Sequence, residues 1–102
     1  MEKPLYEEKG MVGAGKSYWS SRLGGSSHTI KIFKNQIKLL HPRYLITLNK
    51  NEITNIKKFK GLFNSGIRFY HKKKEEFPFV VFYSSDVDNL IKKLTGYGYP
   101  VK

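Results

Sequence analysis

A mainly β domain carrying one C-terminal helix is the fold class this sequence predicts, and three observations predict it. Residues 77–83, Phe-Pro-Phe-Val-Val-Phe-Tyr, are apolar at every position, which marks a strand whose two faces both need cover. Just beyond, Val87, Leu90, Ile91 and Leu94 follow the i, i+3, i+4, i+7 spacing of one amphipathic helix. Upstream, short apolar-polar alternations are punctuated by Gly, Asn, Pro and Ser, and nothing there is helical with comparable clarity. Seven strands in meander order build an antiparallel barrel or bent sandwich, with the helix capping it.

The chain's 102 residues are enough for one modest core and no second domain. Hydrophobic residues at 39% and aromatics at 15% place it outside the disordered class, so it folds without staples. The absence of cysteine excludes a disulfide framework and thiolate metal ligands. No apolar run approaches the roughly 18 residues of a membrane span. Met-Glu-Lys-Pro-Leu-Tyr-Glu-Glu at the N-terminus lacks the apolar segment of a secretory signal. The expectation is a cytoplasmic protein with no transmembrane segment, at most peripheral to a membrane.

Taken in order, residues 1–16 mix Glu, Lys, Gly and Pro and read as a mobile arm ahead of a single domain at 17–102. The arm contains Gly10-Met11-Val12-Gly13-Ala14-Gly15-Lys16-Ser17, a match to the phosphate-cradling pattern G-x-x-x-x-G-K-[ST]. That pattern binds phosphate only when a buried strand delivers the loop and a helix starts at its Lys-Ser. Here Glu7-Glu8-Lys9 precedes it and the strand-like Tyr18 to Leu23 follows, so nucleotide binding at 10–17 is a remote alternative. Trp19 reads as a core or edge anchor. Gly24-Gly25-Ser26-Ser27 makes a turn. His28 to Lys34 alternates, with Ile30 and Ile32 on one face, and Asn35-Gln36 turns it into Ile37 to Leu40.

His41-Pro42-Arg43 breaks that strand, Tyr44 to Leu48 makes the next, and Asn49-Lys50-Asn51 turns again. Ile53, Ile56 and Phe59 suggest a bent strand from Ile53, with a short helical turn as the alternative. After the glycine-bounded loop 61–66, Ile67 to His71 is a strand with Ile67, Phe69 and His71 on one side; Lys72 to Glu76 turns it into the apolar strand. For the helix, Ser85 offers an N-cap, and Asp86 and Asp88 suit the positive end of its dipole. Lys92 and Lys93 suit the other end, and Gly96 is placed for a left-handed stop. So short a helix is not stable alone, and its stripe must dock.

Seven meander strands followed by one amphipathic helix resemble a pleckstrin-homology-type (PH-like) barrel. Over residues 61–101 the resemblance sharpens: Gly61-Leu62-Phe63, Gly66-Ile67-Arg68, His71, Phe79-Val80-Val81-Phe82, Leu90 and Leu94, and Gly98-Tyr99-Pro100-Val101 are similar to the C-terminal half of small bacterial PH-like domain proteins. It implies a PH-like fold and a noncatalytic binding or scaffolding role. Paired basic residues around the first hairpin, the signature of phosphoinositide-binding members, are not found here, and Gly24 to Ser27 carries no Lys.

Chemistry in the sequence points to binding rather than catalysis. His28, His41 and His71 lie far apart without acidic companions at ligand spacing, and neither a G-x-S-x-G nor a Cys nucleophile occurs, so no catalytic, metal or cofactor site is expected. The formal net charge is +11, from 19 basic and 8 acidic residues, and sixteen of the basic ones are lysine. Such a field draws anionic partners. Candidate anion- or partner-binding residues are Lys57, Lys58, Lys60, Arg68, Lys72, Lys73 and Lys74, with Phe59, Phe63 and Tyr70 interleaved. A protein partner or an anionic lipid surface is the first expectation and single-stranded nucleic acid the alternative. Because a barrel strand needs only one apolar face inside, one face of residues 77–83 needs another cover: the Tyr97-to-Val101 tail, a partner, or a second copy. Val80, Phe82, Tyr97 and Tyr99 are the candidate surface for that contact.

Overall fold

The structure is a computed structural model and describes residues 3–15, 22–23, 28–41, 44–61, 65–73 and 78–101. Its elements are β1 (Tyr6–Gly15), β2 (Arg22–Leu23), β3 (His28–Ile32), β4 (Gln36–His41), β5 (Tyr44–Asn49), a 3₁₀ turn (Lys50–Glu52), β6 (Ile53–Lys60), β7 (Ser65–His71), β8 (Phe79–Tyr83) and α1 (Val87–Gly96). The strand order is β5-β4-β3-β1-β8-β7-β6, every neighbouring pair is antiparallel, and the two-residue β2 pairs with β1. The protein is thus mainly β with one C-terminal helix. β5 and β6 stand at the two ends of the order, so the sheet is open.

β1 is the pivot. Tyr6 to Gly10 pair with β3, and Met11 to Gly15 pair with β8. One half-sheet is therefore β1-β3-β4-β5, the other β1-β8-β7-β6. This corrects the expectation of a mobile arm over residues 1–16: residues 6–15 are a strand. The physical reason lies in its alternation. Glu7 and Lys9 take exposed positions, while further along Val12 is fully buried. Low overall hydrophobicity hid a strand whose Glu7 and Lys9 share the exposed side, while Glu8 on the other side is held by the Tyr6 and Ser84 hydroxyls. The same finding corrects the nucleotide-loop alternative over Gly10 to Gly15, which run as paired, extended backbone rather than as a loop. Lys16, Ser17, Trp19 and the Gly24-to-Ser27 turn lie outside the described residues.

The remaining strands follow the expected rhythm. Ile30 and Ile32, Ile37 and Leu39, Ile46 and Leu48, and Ile67 and Phe69 recur at period two, and all are buried in one cluster with Val12, Ile53, Ile56, Val80 and Phe82. The turn expected at Asn49-Lys50-Asn51 is a 3₁₀ turn over Lys50–Glu52, and β6 then starts at Ile53 with a register shift between Ile53 and Asn55, so for Ile53 to Phe59 the bent strand holds and the helical-turn alternative does not. Val87, Leu90 and Leu94 of α1 dock into the cluster. Each such side chain stabilises the fold by roughly 1.5–3 kcal/mol when fully buried.

Helix boundaries differ in detail from expectation. Asp86, not Ser85, is the N-cap: its carboxylate accepts the Asn89 N–H at 3.3 Å, while the Ser84 hydroxyl accepts the Asp86 N–H at 3.1 Å. The left-handed residue is Gly98 (φ 84°) rather than Gly96, because the Tyr97 N–H still donates to the Lys93 carbonyl at 3.0 Å and carries the stop further along.

The apolar strand is buried throughout, Phe79 to Tyr83 each exposing 6% or less. Val80 and Phe82 face the main core. Phe79, Val81 and Tyr83 form a second cluster on the other face, covered by Met11 of β1 and Phe59 of β6. The C-terminal tail goes elsewhere: Tyr99 enters the main core, its hydroxyl donating to the Phe33 carbonyl at 2.6 Å, and Val101 bridges to Ile56. Val80, Phe82 and Tyr99 are therefore corrected from partner surface to core, and Tyr97 packs against that core.

Candidate functional site

Period-two geometry decides which basic side chains meet. In the β6–β7 ladder Ile56 pairs with Phe69 and both point into the core, so their neighbours point out. Three outward pairs result: Asn55 with Tyr70, Lys57 with Arg68, and Phe59 with Gly66. β8 continues the face, with Val81 opposite Arg68 and Tyr83 opposite Gly66.

On this face the rings position the cations. The Arg68 Cζ lies 4.6 Å from the Tyr70 ring centre and 4.8 Å from that of Phe79, and the Lys57 Nζ lies 5.8 Å from Tyr70. Phe59 meets Phe79 edge-on at 5.5 Å and Tyr83 at 6.3 Å, which fixes the floor under the guanidinium. Two polar atoms here are buried without a hydrogen-bond partner, Arg68 Nε and Asn55 Oδ1. Ion pairs among the described residues are Lys31–Glu7 at 3.9 Å and Lys58–Asp88 at 3.1 Å, so neither Lys57 nor Arg68 pairs with a carboxylate of those residues. Like charges directly opposite across a strand pair are unfavourable on their own.

The other basic candidates are placed apart. Lys58 alternates away from Lys57 and reaches Asp88 on α1. Lys60 is exposed at the end of β6 opposite Ser65. Lys72 is exposed, and its N–H is bonded to the Glu52 carbonyl at 3.0 Å. Lys73 turns to the far edge strand, its Nζ donating to the Thr47 carbonyl on β5 at 2.8 Å. Lys74 lies outside the described residues, as does Phe63. Of the seven basic residues grouped by sequence, the structure joins Lys57 and Arg68 in one site. Asn55 and the floor residue Phe79 belong to that site and were not picked out from the sequence. The signal for Asn55 was the hairpin register: pairing Phe59 with Gly66 puts Asn55, Lys57, Arg68 and Tyr70 on one face, whereas Phe79 joins them only through the β7–β8 pairing.

A second polar cluster lies where β1, the end of β8 and α1 meet. The Tyr6 hydroxyl donates to Glu8 at 2.8 Å and accepts from the Asn89 amide at 3.3 Å, while the Ser84 hydroxyl donates to the other Glu8 oxygen. Burial and then the Glu8 carboxylate push the Tyr6 phenol up to about 12, so it stays neutral. Open clefts of about 310 and 220 Å³ adjoin Lys9 beside this cluster. Of the histidines, His28 is fully buried opposite Gly10, and His71 accepts the Lys73 N–H at 3.1 Å. The His41 side chain lies outside the described residues. Among the described residues no three His, Cys, Asp or Glu side chains gather as a metal-ligand group. Nor is any helix among them long and apolar enough to cross a membrane.

No family model matches the chain, and a search of curated proteins finds no match.

Proposed function

We propose that this chain is a noncatalytic binding module of the PH-like kind and that the outward face of β6 and β7 docks onto an anionic membrane surface. The observation that carries the reading is the Lys57–Arg68 pair, two cations directly opposite each other over an aromatic floor with no carboxylate among the described residues to neutralise them. An external anion relieves that repulsion. The +11 charge of the chain adds a general attraction, about 1 kcal/mol for each basic residue close to an anionic bilayer. An open antiparallel sheet with a docked C-terminal helix supports the PH-like reading.

The test is sedimentation with vesicles of phosphatidylcholine alone and of phosphatidylcholine with phosphatidylglycerol, over a range of salt. Binding confined to anionic vesicles, falling with salt and reduced in Lys57→Gln and Arg68→Gln, supports the reading. Equal binding to neutral vesicles, or none to either, removes it. Single-stranded nucleic acid is the second reading, favoured by Phe59 and Tyr70 sharing the face with these cations. An oligonucleotide competing more strongly than vesicles at equal phosphate concentration would select it.

A further inference from the structure

We infer that Asn55, Lys57, Arg68 and Tyr70 form a discrete site for a phosphate monoester. This deepens the anionic-surface reading and rests on it, replacing diffuse attraction by recognition of one phosphoryl group.

Three features separate this site from a general basic surface. First, the guanidinium is preorganised: two rings hold Arg68 Cζ at 4.6 and 4.8 Å, so little freedom remains to be lost when it binds. Second, donor capacity is left over, because Arg68 Nε is buried without a partner and Lys57 has no carboxylate partner among the described residues. Third, an acceptor is left over beside them. Asn55 Oδ1 is also buried without a partner, on the pair next to Lys57–Arg68. A ligand that satisfies all three must bring several acceptor oxygens and one hydroxyl donor.

Charge selects the ester type. Cross-strand partners have Cβ atoms about 5 Å apart, so the Lys57 and Arg68 heads can both close on one tetrahedral anion. Together they bring two positive charges. A phosphate monoester carries about −1.5 to −2 at neutral pH and balances both, whereas a diester carries one negative charge and leaves a cation uncompensated. In the assignment, phosphoryl oxygens accept from Arg68 Nε and Nη and from Lys57 Nζ, and a hydroxyl on the esterified carbon skeleton donates to Asn55 Oδ1. Glycerol phosphate is a small molecule with that combination. The same phosphomonoester occurs free in solution and on the headgroup of phosphatidic acid, which lacks the hydroxyl for Asn55.

The experiment has a soluble and a membrane arm, both on the full chain. Amide NMR shifts are followed during titration with glycerol 3-phosphate. Sedimentation compares vesicles containing phosphatidic acid with vesicles containing phosphatidylglycerol at matched surface charge. Expected are saturable shifts centred on residues 55–57 and 68–70, and tighter binding to phosphatidic acid than to phosphatidylglycerol. Arg68→Lys, which keeps the charge but loses the planar fork, weakens glycerol 3-phosphate at least tenfold and abolishes the lipid preference. Asn55→Ala weakens glycerol 3-phosphate but leaves phosphatidic acid unchanged. Unchanged amide spectra away from the site verify that each variant is folded. Saturation by glycerol 3-phosphate without vesicle preference assigns the free ester as the source and still supports the site. Equal binding to both anionic vesicles with no soluble saturation overturns the site and leaves the anionic-surface reading standing. No binding in either arm overturns both.

Discussion

Gly66 lies directly opposite Tyr83 in the β7–β8 ladder, so close that a Cβ at position 66 would stand 2.7 Å from the Tyr83 Cα. On the other side of the same segment, a Cβ at Gly10 would stand 2.6 Å from the Phe82 ring and press on the Tyr83 carbonyl. The end of β8 is thus held between two positions that have no side chain. That close approach lets Phe82 enter the main core while Tyr83 packs outward under Phe59.

Replacing Gly66 by Ala forces the β7 and β8 backbones apart. The atoms in the way are backbone, which cannot swing aside, so the expected cost is about 1–3 kcal/mol. Gly96→Ala is the control in the opposite direction: a Cβ there meets nothing within 4 Å on the last helical residue, and the variant gains up to about 1 kcal/mol. Urea unfolding of both variants beside the parent chain measures the contrast. Equal midpoints for Gly66→Ala and the parent would refute the close-packing account.

Tyr99→Phe deletes the hydroxyl that donates to the Phe33 carbonyl at 2.6 Å inside the core. The ring still fills its space, but the carbonyl loses this donor. A loss of about 1–3 kcal/mol is expected in chemical denaturation, with the far-ultraviolet spectrum of the folded state unchanged.

At the helix start, Asp86→Ala removes a cap and costs about 0.5–2 kcal/mol. Lys58→Ala removes the nearby ion pair with Asp88, whose side chains are 54% and 82% exposed, and changes stability by less than about 0.5 kcal/mol. Thermal unfolding of the two variants side by side should therefore show a clear shift for the first and almost none for the second.

Tyr6 makes stability depend on alkaline pH. Its folded pKa is raised from 10.0 to about 12, by burial first and then by the Glu8 carboxylate, so folding favours the protonated phenol. The associated stability is whole below pH 10 and is lost as pH climbs through 12. In Tyr6→Phe there is no proton to lose at this position, so stability falls less steeply over that window than in the parent chain. Denaturant midpoints collected across it, with tyrosinate absorbance followed in parallel, provide the check; identical slopes would discard the assignment.

Much of the fold was legible in the residues because the signals were local. Ile30/Ile32, Ile37/Leu39 and Ile67/Phe69 mark strands by alternation, and Val87, Leu90 and Leu94 mark the docked helix. β1 was hidden because Glu7, Glu8 and Lys9 make it hydrophilic in sum, although its exposed side tolerates Glu7 and Lys9 and the Tyr6 and Ser84 hydroxyls hold Glu8 on the other. The site was half legible. Composition pointed to Lys57 and Arg68, but it joined them with Lys58 and Lys73, which alternation and chain reversal send to α1 and β5.

By itself the sequence determined the class of the protein: a mainly β chain with one amphipathic C-terminal helix, strongly basic, whose strand at 79–83 needs cover on both faces. Those properties follow from periodicity and composition, which act within a few residues along the chain. Only the tertiary structure decided that Met11 and Phe59 provide the outer cover, that β1 joins the two half-sheets, and that Arg68 rests on Tyr70 and Phe79 beside Lys57. These relationships depend on strand order and register, which are set by the whole core packing together and not by any one stretch of chain.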